Sequence, residues 1–249
     1  MDYSFIIKQN LFELYWTFAE ETGLNKTMNP VYSWINASSV PWPRFIFDID
    51  PEINDKQLAL LDEETGSGKA PKFAIDLRND RIEQKLSGIN FKKVMAWPGM
   101  LLPLEKSIKE QQPGLEIKTV TSWDELQLWF QIVSENLFKN QAFESPNLQK
   151  LLNLRSVEFL LGFTAGKAVS TLMSFSNQQV AGLYHISTLE KYRGNGFGKQ
   201  ITQNAIKRAA ARGSHFAILQ ANPESHGLYE SIGFKDCCIF DIFWKLPKT

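Results

Sequence analysis

The residues best suited to chemistry form one glycine-rich run, Arg193-Gly194-Asn195-Gly196-Phe197-Gly198-Lys199. Glycine lets the backbone approach a ligand closely and turn its N–H groups towards it. Residues 180–188 before the run are rich in β-branched and aromatic types, and residues 200–212 after it carry apolar side chains at helical spacing. A strand, a glycine-rich turn and a helix N-terminus in this order favour a binding site for a diphosphate group.

The spacing of the glycines can be compared with the patterns of the known nucleotide-binding loops. A dinucleotide fold requires G-x-G-x-x-G, and a phosphate-binding loop requires G-x-x-x-x-G-K-[ST]. The run at 193–199 matches neither pattern. A second string, Gly-Ser-Gly-Lys at 66–69, also fails, because Ala70 stands where Ser or Thr must bind a metal ion. We therefore expect residues 66–69 to be an ordinary loop.

The spacing Arg193-x-x-Gly196-x-Gly198 resembles the acyl-CoA loop of the GNAT superfamily of N-acetyltransferases, usually [QR]-x-x-G-x-[GA]. Downstream, a predicted strand at 216–221 is followed by Asn222 and then by residues 228–234, Leu-Tyr-Glu-Ser-Ile-Gly-Phe. This last segment resembles the L-Y-x-x-x-G-F element of the same family. The resemblance is good over residues 113–249 and poor over the first hundred or so residues.

The resemblance implies an α/β fold with a mixed sheet, the acyl-CoA N-acyltransferase (GNAT) fold. An internal repeat extends it, because residues 86–104 and 229–247 both read as helix, turn, Phe and strand. We therefore expect a tandem protein with a degenerate GNAT-like domain at 1–112 and a catalytic domain at 113–249. The polar stretch at 106–114 is the expected linker. Because the first half lacks R-x-x-G-x-G, we expect that it does not bind acyl-CoA productively, and that it packs on the catalytic half and forms one wall of the acceptor cleft.

Hydrophobic periodicity predicts the elements that must position the glycine-rich run. Apolar spacing favours helices over residues 8–22, 123–138 and 146–154, and a strand region is expected over 94–104. Residues 157–164 and 167–175 read as a hairpin that leads into the strand at 180–188. Strict alternation in that strand would place Leu183, His185 and Ser187 on one face and Tyr184, Ile186 and Thr188 on the other.

The family likeness also implies where acyl-CoA would lie. The diphosphate would lie on the amides of residues 193–199, with the Arg193 side chain bracing the turn. The pantetheine arm would lie where the strand at 180–188 separates from the next one, which implicates the backbone of Ile186, Ser187 and Thr188. Asn222 matches the position that hydrogen-bonds this arm.

Two residues are candidates for proton transfer. Tyr229 would protonate the departing thiolate, since a phenol with a pKa near 10 is a suitable acid for a thiolate of similar basicity. His185 is a candidate base because its ordinary pKa lies near neutrality. The alternatives are that His185 is structural and that Glu190, Glu144 or a chain of water molecules takes the amine proton.

The acceptor is not evident from the sequence. Residues in the loop between the first two helices of the second half either contact the acceptor or are solvated: Asn140, Phe143 and Glu144. Four aromatic residues either line an apolar pocket or pack in the core: Trp34, Trp42, Trp97 and Phe143.

Composition narrows the class of protein. The 27 Lys and Arg residues balance 27 Asp and Glu residues, so we expect neither nucleic acid nor an anionic membrane as partner. No stretch approaches the ~20 apolar residues of a membrane span. Adjacent Cys237 and Cys238 would point to opposite strand faces, so we expect free thiols and a cytoplasmic protein.

These observations predict a metal-independent N-acetyltransferase that transfers the acetyl group of acetyl-CoA to a primary amine of a small molecule or peptide. Homodimerisation through strand edges is left open. The alternative is a non-catalytic acyl-CoA-binding, sensing or interaction module.

Overall fold

The computed structural model describes residues 2–37, 39–104 and 114–247. Its helices are α1 (Tyr3–Thr22), α2 (Asp55–Gly66), α3 (Asp80–Gly88), α4 (Trp123–Leu137), α5 (Phe197–Ala211) and α6 (His226–Glu230). Its strands are β1 (Asn25–Met28), β2 (Ser33–Asn36), β3 (Phe45–Phe47), β4 (Phe73–Leu77), β5 (Phe91–Pro103), β6 (Glu116–Thr119), β7 (Val157–Thr164), β8 (Lys167–Asn177), β9 (Val180–Thr188), β10 (Phe216–Gln220) and β11 (Lys235–Lys245). Short 3₁₀ helices lie at Leu148–Asn153 and Glu190–Tyr192.

The observed elements confirm most of the predicted ones, with differences at their ends. Helix α1 begins several residues before the apolar pattern because the Asp2 carboxylate caps it, accepting from the N–H groups of Ser4 (3.0 Å) and Phe5 (3.3 Å). The helix predicted at 146–154 is a 3₁₀ helix, and the strand predicted at 94–104 begins at Phe91. Gly66 is the last residue of α2, and residues 67–69 belong to the loop that follows it.

Within the described residues, eleven strands form one mixed sheet in the order β1-β2-β3-β4-β11-β5-β10-β9-β8-β7-β6. The pairs β3–β4 and β9–β10 are parallel, whereas the other neighbouring strands are antiparallel. This is the mixed α/β sheet that the sequence predicted. Cys237 and Cys238, on β11, are free thiols.

The two halves of the chain exchange strands at the centre of the sheet. Strand β11 lies between β4 and β5, and β5 lies between β11 and β10. The N-terminal part runs α1, three strands, α2, β4, α3, β5, and the C-terminal part repeats this order from α4 to β11. The boundary between residues 112 and 113, and most of the expected linker at 106–114, lie outside the described residues, so the division into domains stays a prediction.

Helices α1 and α4 pack on the same face of the sheet. Alternate residues of β7 separate the two faces: Phe159 belongs to the hydrophobic core around α1 and α4, and Leu160 belongs to the core beneath α5. Because α1 comes from the first half and α4 from the second, both halves build the face opposite α5.

Candidate functional site

The glycine-rich run joins the end of β9 to the start of α5. Gly194 and Gly196 have φ angles of 80° and 75°, in the left-handed region that costs glycine least. A Cβ on Gly194 would meet no described atom within 4 Å apart from its chain neighbours, and one on Gly196 would meet Gln200 Nε2 at 3.9 Å. The concave side of the turn therefore has room for a ligand.

Backbone donors converge on this space. The first hydrogen bond of α5 runs from the Gln200 N–H to the Gly196 carbonyl at 3.0 Å. The amides of residues 197–199 precede it and have no acceptor within the helix. With the partial positive charge of a helix N-terminus, they provide the donors that a diphosphate requires. This part of the structure fits the diphosphate of coenzyme A.

Side chains brace the turn. Arg193 Nε donates to the Thr188 carbonyl at 3.2 Å, and its Nη2 donates to Asn136 Oδ1 on α4 at 3.4 Å. The Asn195 side-chain amide donates to the Tyr192 carbonyl at 3.0 Å. Because the side chains of Arg193 and Asn195 hold the loop in this way, the backbone N–H groups of the loop are the donors best placed to bind an anion.

Lys199 connects the start of α5 to the end of α6. Its Nζ donates to Ser231 Oγ at 3.0 Å and lies 3.4 Å from the Ser231 carbonyl. Neither Ser231 nor Asn136, the partner of Arg193, was predicted, because each is brought to the loop only by packing between distant helices.

The parallel strands β9 and β10 pair at only three positions. The last pair joins Ile218 to Gly182, although β9 continues to Thr188 and β10 to Gln220. Beyond this pair the strands separate and open a cleft in the sheet. The glycine-rich loop lies next to this opening, because Arg193 Nε at the start of the loop donates to the carbonyl of Thr188, the last residue of β9.

A β-bulge in β9 overturns the strict alternation expected for this strand. Tyr184 pairs with Met173 and Ser187 pairs with Thr171, so two residues of β9 lie opposite one residue of β8. His185, within the bulge, has a φ of 48°. As a result Ile186 packs beneath α5 with Leu183, whereas Tyr184 lies in the core around α1 and α4.

The His185 ring lies on the same side as Tyr184, among aromatic side chains. Its ring centroid is 4.4 Å from that of Trp42, 5.8 Å from that of Trp129 and 5.8 Å from that of Phe138. Desolvation in this environment lowers the pKa of His185 to about 3. A neutral imidazole with so low a pKa is a poor acceptor for an amine proton, so the geometry disfavours the expected role as base and favours a structural one.

The same pKa predicts acid sensitivity. A histidine whose pKa is lower in the folded than in the unfolded state contributes stability above about pH 6.5, and this contribution is lost as pH falls towards about 3. His185→Asn keeps a residue that tolerates positive φ, and we expect it to reduce the loss of stability between pH 7 and 5. Urea unfolding of both proteins at several pH values checks this; equal pH dependence would contradict it.

The hydroxyl groups of Ser187 and Thr188 are engaged within the protein. Ser187 Oγ lies 3.1 Å from Thr171 Oγ1, and Thr188 Oγ1 lies 3.2 Å from Ser170 Oγ. The side chain of Ile186 packs against the core beneath α5. For all three predicted residues, the backbone is therefore the group best placed to act on a ligand.

Tyr229 lies on α6 and is 6% exposed. Its ring packs in the core that includes Leu183 of β9, and its centroid lies 6.1 Å from that of Phe234. Burial raises the pKa of Tyr229 to about 12, and a hydrogen bond with Ser225 acts in the opposite direction. The phenol thus remains protonated at neutral pH and can act as a proton donor.

Asn222 lies beyond the end of β10 and shapes the start of α6. Its Oδ1 accepts from Ser225 N at 2.8 Å and from Ser225 Oγ at 2.6 Å. The side-chain NH₂ group remains as its donor for a ligand.

A cleft of about 470 Å³ lies between the two halves of the chain. Of the four aromatic candidates, Trp42 and Trp97 line it. Trp34 instead packs beneath α2, where its Nε1 donates to Glu64 at 3.0 Å. Phe143 lines a separate pocket of about 370 Å³ beside α4.

The remaining candidates lie at the surface. Asn140 shares the smaller pocket with Phe143, and the Glu144 and Glu190 side chains are exposed. Phe138 was not predicted, yet it lines the larger cleft and contacts His185. The sequence gives no signal for this position, because Phe138 lines the cleft only where the end of α4 meets residues of the other half such as Trp42.

Across residues 2–37, 39–104 and 114–247, no group of three or more His, Cys, Asp or Glu side chains is arranged to hold a metal ion. None of the helices in the same ranges combines the length and apolarity needed to cross a bilayer.

Comparison with known proteins agrees with this geometry. Residues 123–234 match the model of a family described as the acetyltransferase (GNAT) family. No curated protein sequence matches the chain. The matched segment contains α4, the bulged strand β9, the glycine-rich loop and α6.

Three solved structures have a similar fold. A GCN5-related N-acetyltransferase from Kribbella flavida is 14% identical with a TM-score of 0.77, and the match covers 100% of this chain and 97% of that one. One from Sphaerobacter thermophilus is 15% identical with a TM-score of 0.62, covering 88% and 81%. A putative GNAT-family acetyltransferase from Novosphingobium aromaticivorans is 13% identical with a TM-score of 0.57, covering 94% and 97%. At these identities the likeness concerns the fold.

Proposed function

We propose that the chain transfers the acetyl group of acetyl-CoA to a primary amine by direct attack on the thioester, a function that the match of residues 123–234 to the acetyltransferase (GNAT) family supports. One observation carries the proposal. The open loop at 193–199 lies at the mouth of the cleft between β9 and β10. A diphosphate held by the loop would direct the attached arm into this cleft.

The chain would act mainly by positioning. A thioester is already an activated acyl group, so holding it beside the amine supplies much of the acceleration. The bulge in β9 leaves the backbone around Ile186 outside the regular β8–β9 register. We propose that an N–H group in the segment 186–188 donates to the thioester oxygen, where negative charge develops during attack.

Tyr229 is the proposed proton donor to the departing sulfur. It is buried and neutral, and it packs in the same core as Leu183. Leu183 is the first residue of β9 beyond the last pair with β10, where the two strands separate. The Tyr229 pKa of about 12 keeps the proton on the oxygen until a strong base, such as a developing thiolate, forms nearby.

The amine proton would leave through water. The low pKa of His185 makes this residue a weak acceptor, and exposed Glu144 and Glu190 remain predicted alternatives. His185 would instead support the wall of the cleft between the two halves, through its contacts with Trp42 and Phe138, which line that cleft.

Titration calorimetry with acetyl-CoA, followed by free-thiol release with a panel of primary amines, tests the proposal. We expect acetyl-CoA to bind and at least one amine to increase thiol release well above the rate of thioester hydrolysis. Binding without turnover for any amine would favour the acyl-CoA-binding module, and absence of binding would contradict both functions.

A further inference from the structure

The cleft between the two halves is lined mainly by apolar residues, and many of them are aromatic. Six aromatic residues line it, from both halves and from six different elements or loops: Trp42, Phe45, Phe73, Trp97, Phe138 and Trp244. Its volume of about 470 Å³ is within the usual range for small-molecule sites, about 300 to 1,000 Å³. The cleft therefore suits the apolar body of a small ligand.

One part of the cleft wall faces the proposed reaction site. Trp42 and Phe138 line the cleft and are also the rings that contact His185 in the bulge of β9, at 4.4 and 5.8 Å. The residues of this bulge border the opening between β9 and β10. An amine that approaches the proposed thioester position would thus pass this end of the cleft.

Another part of the wall carries positive charge. Arg44 and Lys72 line the cleft immediately before β3 and β4. These strands are parallel neighbours with Ile46 opposite Ala74, so Arg44 and Lys72 occupy equivalent positions on adjacent strands, which are about 4.8 Å apart. The register thus brings two cations together at the starts of the strands.

Among the described residues, these two cations have no ion-pair partner. Neither Arg44 nor Lys72 forms an ion pair with any residue of the described ranges. The described residues that line the cleft also include no Asp or Glu. Two neighbouring like charges repel each other, and an anionic ligand would relieve this repulsion and gain charge-assisted hydrogen bonds.

We infer that the acceptor is a primary amine whose aromatic or apolar body carries an anionic group, such as a carboxylate, at the end away from the amine. The inference rests on the proposed acetyl transfer. The body would lie among the rings, the anion would lie at Arg44 and Lys72, and the amine would lie at the Trp42 and Phe138 end. A polycationic amine would be disfavoured, because this wall has two cations and no carboxylate.

Three amines with one aromatic ring test the inference. The probe 4-(2-aminoethyl)benzoate has the carboxylate opposite the amine, 2-phenylethylamine lacks it, and L-phenylalanine has it beside the amine. We expect kcat/KM for the benzoate to exceed that for each of the other two by about tenfold or more. Equal values, or a preference for L-phenylalanine, would overturn the inference.

Substitutions test whether Arg44 and Lys72 cause the preference for the benzoate. We expect the double variant Arg44→Gln with Lys72→Gln to raise KM for the benzoate about tenfold, with little change in kcat and no change for 2-phenylethylamine. Arg155→Gln, which removes an exposed cation outside the cleft, is the matched control and should change neither value. An equal loss for both amines would show a general structural effect and contradict the assignment.

Acetyl-CoA binding separates failure of this inference from failure of the proposed function. If acetyl-CoA binds and 2-phenylethylamine is acetylated as well as the benzoate, the transferase proposal stands and the acceptor class is wrong. If no amine in a broad panel is acetylated, the transferase proposal is wrong and the acceptor inference fails with it.

Discussion

Gly196→Asp is expected to weaken acetyl-CoA binding by about 100-fold or more. Gly196 lies at the start of α5 with a φ of 75°, which Asp tolerates better than most residues. The new carboxylate would compete for the amides at 197–199 and repel the diphosphate. Two like charges about 4 Å apart near a protein surface repel by about 4 kcal/mol, whereas a 100-fold loss requires about 2.7 kcal/mol.

Gly166→Asp is the matched control. Gly166 lies in the turn between β7 and β8 with a φ of 74°, and no described atom beyond its chain neighbours lies near the position of a Cβ. The two substitutions introduce the same residue at nearly the same positive φ, so both should lower the melting temperature to a similar, small extent. Calorimetry should show weak binding in Gly196→Asp alone; normal binding there would remove the loop from the site.

Tyr229→Phe is expected to lower kcat about 100-fold while leaving acetyl-CoA binding nearly unchanged. The substitution keeps the ring that packs against Phe234 and removes only the hydroxyl. Loss of a general acid commonly costs 10²- to 10⁴-fold. Free-thiol release under saturating acetyl-CoA and amine measures the effect, and full activity on a good acceptor would contradict the assigned role.

Tyr184→Phe provides the control for loss of a buried hydroxyl. The Tyr184 hydroxyl donates to Asn10 Oδ1 at 2.6 Å on the side of α1, so its removal should reduce stability while kcat stays within about twofold. The pH profile gives a second check on Tyr229. With a pKa of about 12, its ionisation should not reduce the activity of the native enzyme between pH 7 and 10.

In the N-terminal half, the described segment 48–54 that corresponds to the glycine-rich loop does not form an equivalent anion site. Its counterpart of the glycine-rich loop lies between β3 and α2 and contains Asp48, Asp50 and Glu52. Carboxylates at this position would repel a diphosphate, and none of the residues 48–54 is a glycine. These carboxylates give an electrostatic reason for the prediction that the first half does not bind acyl-CoA.

The sequence alone determined the glycine-rich loop, because the conformation of this loop depends on local backbone freedom. Glycines at 194 and 196 and the helical pattern after them are properties of neighbouring residues. The same holds for most helices and strands, and for Tyr229 at the start of a recognisable segment. Local patterns suffice wherever the interacting groups are close along the chain.

Only the tertiary structure decided the lining of the cleft between the two halves and the environment of His185. Alternation predicted the wrong faces in β9, because a bulge depends on how β8 pairs with β9. The cleft joins Trp42 to Phe138, and the strand register aligns Arg44 with Lys72. These contacts connect residues that are far apart in sequence. They follow from the exchange of β5 and β11 at the centre of the sheet and from the position of α1 and α4 on the same face of the sheet.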